Sequence, residues 1–103
     1  MKVVQRGIMK ILPGMMEEAM KLMEKHTAVT TRLGMVPSKM RSYRYLTGGD
    51  VMHTMIFEYH WDSLVEFAEF FEKNMQDSEM RELMMKWPSV VEHHSMEILT
   101  PVP

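Results

Sequence analysis

The side chains best suited to chemistry in this chain are a few polar residues set among apolar ones. His26 falls inside the apolar arc of a helical segment, beside Ala19 and Met23. His53 interrupts an otherwise apolar strand face formed by Val51, Met55, Phe57, Tyr59 and Trp61. If the preceding strand pairs through a two- or four-residue hairpin loop, Arg44 lies opposite His53, Ser42 opposite Met55 and Met40 opposite Phe57. Directly opposed residues share a face. Gln5, Arg44, His53, Tyr59 and Trp61 would then stand on one side of a sheet, with His26, Phe67, Phe71 and Asn74 reaching down from helices. An apolar wall with a few placed polar groups has the character of a small-molecule pocket. In it, His53 or His26 would act as general base and Arg44 would hold a developing oxyanion. A histidine desolvated beside a cation has a lowered pKa and stays neutral near pH 7.

Other chemistries find less support. The chain has no cysteine, so disulfides and thiolate nucleophiles are excluded. His93 and His94 are neighbours on a strand and should point to opposite faces, and His53 and His60 differ by an odd number. A pair made of His26 and His53 would lack the third protein ligand that zinc usually takes. No metal and no cofactor is therefore expected. Ser63 is used as a helix cap, which leaves no serine nucleophile, and Glu17 and Glu18 belong to a solvated face. The fifteen methionines admit two readings, soft-metal ligation or deformable core filler. Most fall at positions that should be buried, which favours filler.

These residues need a scaffold, and 103 residues supply a single domain spanning 1–103. A formal charge of −2 argues against a nucleic-acid partner, which requires a basic face. The amino terminus lacks a signal-peptide pattern, and no apolar run is long enough to span a membrane, so a cytoplasmic protein is expected.

Alternation predicts a strand over 3–12, with Val3, Gln5, Gly7, Met9 and Ile11 on one face. Pro13-Gly14 ends it. A helix follows over 15–33, with Gly34 past its end and Met16, Ala19, Met20, Leu22, Met23, Thr27, Val29, Thr30 and Leu33 facing inward. Strands over 40–46 and 51–61 flank a loop, Thr47-Gly48-Gly49-Asp50. Ser63-Leu64-Val65-Glu66 is a capping box opening a second helix, whose core stripe is Leu64, Phe67, Ala68, Phe71 and Met75. A short helix from Asp77 to about Lys86 and a last strand over 90–99 complete the chain.

The order βαββαβ predicts a ferredoxin-like α+β sandwich, an antiparallel four-stranded sheet with two main helices on one face. The other sheet face carries Val4, Ile8, Leu12 and Ile56 mixed with Arg6, Lys10 and Glu58. It is too apolar for water and too charged for a monomer core. Two such faces packed together would form a homodimer, with Arg6 and Lys10 answering Glu58.

Leu12-Pro13-Gly14 after the first strand and Trp61-Asp62-Ser63 after the third resemble the dimeric α/β-barrel superfamily, in its antibiotic-biosynthesis monooxygenase-like and NIPSNAP-like branches. The resemblance implies back-to-back dimers with a pocket in each monomer between sheet and helices. The heme-degrading branch combines an Asn on strand one, a Trp ending strand three and a His on helix two. Here Trp61 matches, the Asn position falls on Gly7, and no histidine occurs between Asp62 and Pro88, so that site is not formed. Three functions follow. One is a cofactor-independent monooxygenase-like enzyme on an aromatic substrate. The second is a non-catalytic dimer holding a hydrophobic ligand, and the third is a stress-related dimer with a filled core.

Overall fold

A computed structural model of the chain describes residues 1–45, 47 and 53–103. Its strands are β1 (Val3–Ile11), β2 (Met40–Tyr43), β3 (Thr54–Trp61) and β4 (Val91–Leu99). Its helices are α1 (Met16–Arg32), α2 (Leu64–Gln76) and α3 (Ser78–Lys86). The strands form one antiparallel sheet in the order β2-β3-β1-β4, the arrangement of a ferredoxin-like α+β fold. Among the described residues no helix is long and apolar enough to cross a membrane.

β1 is a central strand, and its alternation is regular. Val3, Gln5, Gly7, Met9 and Ile11 are buried under the helices, while the residues between them are half-buried on the opposite face. Met9 and Ile11 pack with Ala19, Leu22 and Val29 of α1, with Met80 and Leu83 of α3, and with Val90. Val3 packs with Met35, Tyr59 and Trp61 in a second cluster, and Phe57 touches both.

The helix boundaries follow local chemistry. Gly34 has φ 112, a conformation that glycine adopts without a Cβ clash. It lets Gly34 and Met35 donate backbone hydrogen bonds to Thr31 and Thr30 and close α1. Ser63 Oγ accepts from the Glu66 amide at 3.0 Å, and the Glu66 carboxylate accepts in turn from the Asp62 amide at 2.8 Å. Asp77 caps α3 by accepting from the Met80 amide at 2.9 Å, and it also takes two hydrogen bonds from Arg32 at the end of α1. That one carboxylate ties two helices together. The bonds from Met80 and Arg32 hold its pKa below the ordinary aspartate value.

The predicted inward faces need correction on both long helices. On α1, Met20 and Thr27 are exposed. Both lie at one margin of the apolar arc, beyond the reach of the sheet. On α2, no residue is fully buried. Leu64, Phe71 and Met75 are 49%, 46% and 41% exposed, Ala68 is exposed, and the helix rests on Phe67, which the predicted stripe includes, and on Phe70, which it omits. A helix covering the rim of a sheet rather than its centre buries a narrower stripe.

The β2–β3 register is also corrected. Met40 pairs with Tyr59, Ser42 with Phe57 and Tyr43 with Ile56, two residues from the expected pairing. An even shift keeps every side chain on its expected face. β2 ends at Tyr43 and β3 begins at Thr54, so the paired segment is shorter than predicted. The predicted loop at Gly48-Gly49-Asp50 and the strand positions Leu46, Val51 and Met52 lie outside the described residues.

These burials rank three substitutions. Ser63→Ala should destabilise by about 1 kcal/mol through loss of the cap. Met80→Ala should cost about 2–5 kcal/mol, because the side chain is fully buried. Phe71→Ala should cost clearly less than Met80→Ala, since half of its ring already meets water. Urea denaturation of the three variants checks the order.

Candidate functional site

A cavity of about 420 Å³ lies between the sheet and the helices. Its floor is Gln5, Met9, Phe57 and Tyr59, all from the inward face of β1 and β3. Met23 and His26 of α1, Phe71, Asn74 and Met75 of α2, and Met80 and Met84 of α3 form the roof. The turn at Trp87-Pro88 and the start of β4 close one side.

Gly7 makes this floor possible. It pairs directly with Phe57 across β1 and β3. A Cβ at position 7 would overlap the Phe57 ring, which lies flat over the glycine backbone. The position that carries Asn in the heme-degrading branch is thus occupied here by a phenyl ring resting on a bare strand. Gly7→Ala must lift that ring into the cavity.

Of the residues predicted to form the site, Gln5, His26, Tyr59, Phe71 and Asn74 line this cavity together. Arg44 and His53 do not line it, and both are exposed. The physical reason is the backbone. Arg44 follows the last residue of β2, and His53 precedes β3 with φ 63, in the left-handed region. Alternation counted through such a residue fails. The role of His53 is structural: its carbonyl accepts the Ile11 amide at 2.7 Å. Trp61 is buried elsewhere, its ring tilted against Phe70 at 5.0 Å and edge-on to Phe67 at 6.0 Å. It lines a shallower depression with Lys39 and Glu66. Phe67 supports Trp61 and lines neither space.

The polar groups of the cavity differ in how they are satisfied. Tyr59 has Thr30 as its hydroxyl partner, and Thr30 donates to the His26 carbonyl at 2.7 Å. Gln5 donates from Nε2 to the Met96 sulfur at 3.5 Å, a weak acceptor. Nδ1 of His26 and Oδ1 of Asn74 are sealed from water with no hydrogen-bond partner. The His26 ring stands edge-on to Trp87, with centroids 6.4 Å apart. Burial pushes its pKa below the ordinary 6.5.

Several lining residues were not read from the sequence. Trp87 lies just past the predicted third helix, where helical periodicity assigns it no face. His94 pairs with Met9 and therefore shares the inward face, a placement that needs the β1–β4 register. His93 and His94 both line the cavity, although strand neighbours normally point apart. The ladder slips one residue at Glu92, and bulges re-aim the side chains beside them. The His94 pKa is lowered, by burial first and by the neighbouring His93 second. Among the described residues, no three histidine or carboxylate side chains come together to hold a metal ion.

The fold has clear relatives among solved structures. A NIPSNAP family protein from Agrobacterium tumefaciens superposes with a TM-score of 0.78 and 21% identity, over 98% of this chain and 86% of that one. A NIPSNAP domain protein from Burkholderia xenovorans gives a TM-score of 0.76 and 16% identity, over 97% of this chain and 94% of that one. A second Agrobacterium tumefaciens protein, described as a NIPSNAP family protein with unknown function, gives 0.76 and 14% over 97% and 87%. The fold is therefore NIPSNAP-like. No family model matches the chain, and no curated protein matches it.

Two predictions follow from the cavity. In an NMR titration, His26 should have its midpoint below 6.5. The unfolded chain takes up a proton at that value while the folded chain refuses it. Stability should therefore fall as pH drops through 6.5, and level off once folded His26 also protonates. His26→Gln should flatten this part of the pH–stability curve. Gly7→Ala should destabilise by about 1–3 kcal/mol through overpacking, and Phe57→Leu in the same chain should relieve most of that loss.

Proposed function

We propose that this protein is a homodimer that binds an apolar small molecule in the cavity of each subunit. The observation that carries this reading is a cavity of about 420 Å³ whose apolar wall of rings and methionines is interrupted by a few polar side chains, Gln5, His26, Tyr59 and Asn74. A filled structural core, the stress-protein reading, fits this space least.

The monooxygenase-like reading, which the superfamily resemblance suggests, rests on His26 alone. Neutral His26 would take a proton from a phenolic substrate. The resulting anion would reduce dioxygen, one oxygen becoming a second ring carbonyl and the other leaving as water, so that the phenol ends as a quinone and itself supplies all four electrons. Such an anion needs a cation or strong donor beside it. Arg44, expected to play that part, lies outside the cavity, and among the described residues no lysine or arginine lines it. We therefore propose ligand binding rather than catalysis.

Dimerisation would use the sheet face away from the helices. Val4, Ile8 and Ile56 lie there half-buried, Tyr43 is 47% exposed, and no helix covers them. At the centre of this face Glu58 is buried, taking hydrogen bonds from Arg6 Nε at 2.9 Å, His60 at 3.1 Å and Tyr43 at 3.3 Å. Burial alone would raise its pKa, and the bonds from Arg6 and His60 outweigh that and hold it low. The expected pairing of Arg6 with a partner's Glu58 is thus already made within one chain. A face whose central charge is neutralised internally loses little when a second copy removes its water.

Both halves of the proposal are measurable. Light scattering should give about twice the 12.2 kDa chain mass, and Ile56→Glu should yield a monomer or an unfolded chain. A wild-type monomer at micromolar concentration would refute the dimer. For the cavity, Trp87 is a built-in reporter. Naphthalene-sized aromatics should change the fluorescence of a Trp61→Phe variant, and no response there would refute the binding site.

A further inference from the structure

The charge of the cavity wall says which molecules it suits. Among the described residues eighteen line the space, and none of these is a lysine or arginine. One carboxylate is present, Glu92, at the step where the β1–β4 ladder slips. Four rings, Phe57, Tyr59, Phe71 and Trp87, and six methionine sulfurs make up most of the rest. Burial disfavours a positive charge on His26 and on His94, and the third lining imidazole, His93, is exposed to bulk water at the rim.

An anion entering this space would give up its hydration and meet no opposite charge. A cation would meet the negative faces of aromatic rings, polarisable thioethers and one carboxylate. Small hard cations keep their water too strongly for such a site. Large cations with their charge spread over apolar groups do not. The mouth is suited to bulk of this kind. Met84 and Met96, 41% and 46% exposed, flank the opening with flexible side chains that can repack around different shapes.

We propose that the cavity selects lipophilic monocations, of the quaternary-ammonium or arylphosphonium type, over anions of the same shape, and that Glu92 supplies part of the selection. This rests on the reading of the cavity as a ligand site, and it adds the sign of the ligand's charge.

Tetraphenylphosphonium and tetraphenylborate have nearly the same size and shape and opposite charge. Each is titrated into the full-length Trp61→Phe protein, with Trp87 fluorescence and calorimetry as readouts, beside a neutral naphthalene control. The expected result is binding of the phosphonium at one per chain, at least tenfold tighter than the borate. Glu92→Gln should weaken the phosphonium several-fold and leave the borate unchanged or improved. Glu97→Gln should change neither affinity, because Glu97 lies on the opposite sheet face near Arg6. Thermal melts of both variants report whether they fold, and both sites are exposed. Equal affinities, or a tighter borate, overturn the proposal and leave the cavity as a neutral apolar site. If naphthalene binds and the phosphonium does not, the proposal is also overturned. If none of the three probes binds, the ligand site itself fails, and the charge selection fails with it.

Discussion

The whole helix side of the sheet depends on one cross-strand contact, the Phe57 ring lying on Gly7. β1 is hydrogen-bonded on both edges, to β3 and to β4, so its inward residues set the centre of the core. At four of its five inward positions a side chain stands up toward the helices. At Gly7 none does, and the ring from β3 fills the gap sideways. A ring laid flat takes less height than one standing up. Phe57 joins the two hydrophobic clusters, and the space above it is the cavity.

The two faces of the sheet handle polar groups in opposite ways. On the outer face Glu58 is buried and heavily bonded, by Arg6, His60 and Tyr43. Arg6 reaches Glu97 as well, so all four strands are tied by one small network. On the inner face there is no such network. His26 and Asn74 each bury a polar atom without a partner, and Gln5 settles for a sulfur acceptor. A buried network that is satisfied rigidifies a structure. The contrast puts the charged network on one side of the sheet and the apolar, sparsely bonded cavity on the other.

The methionines divide along the same line. Met9, Met35 and Met80 are buried and act as filler, fitting gaps between less adaptable side chains. Met75, Met84 and Met96 are 41%, 41% and 46% exposed at the opening of the cavity, where filling a core is no explanation. At an opening, flexible and polarisable side chains leave the mouth of the cavity adaptable in shape. Composition alone cannot separate these two uses, because both place methionine beside apolar neighbours.

The sequence by itself determined the order of elements, the fold class and the face on which each β1 and β3 side chain lies. These rest on local signals: period-two alternation in β1, the Ser63 cap, the left-handed Gly34, the Asp77 restart. It also brought His26, Asn74, Gln5, Tyr59 and Phe71 toward one space, since helix phase and strand parity suffice for that. Tertiary structure decided the rest. The left-handed backbone at His53 ended the alternation that had placed it beside Arg44, and a histidine, unlike the glycine at 34, does not announce that conformation. Where α2 came to rest decided that Phe67 would pack on Trp61 while Phe71 faced the cavity. The ladder slip at Glu92 brought two adjacent histidines to one rim. Each of these is a relation between segments far apart in the chain. Such relations are set by how whole surfaces fit, and the periodicity of a single segment carries no record of them.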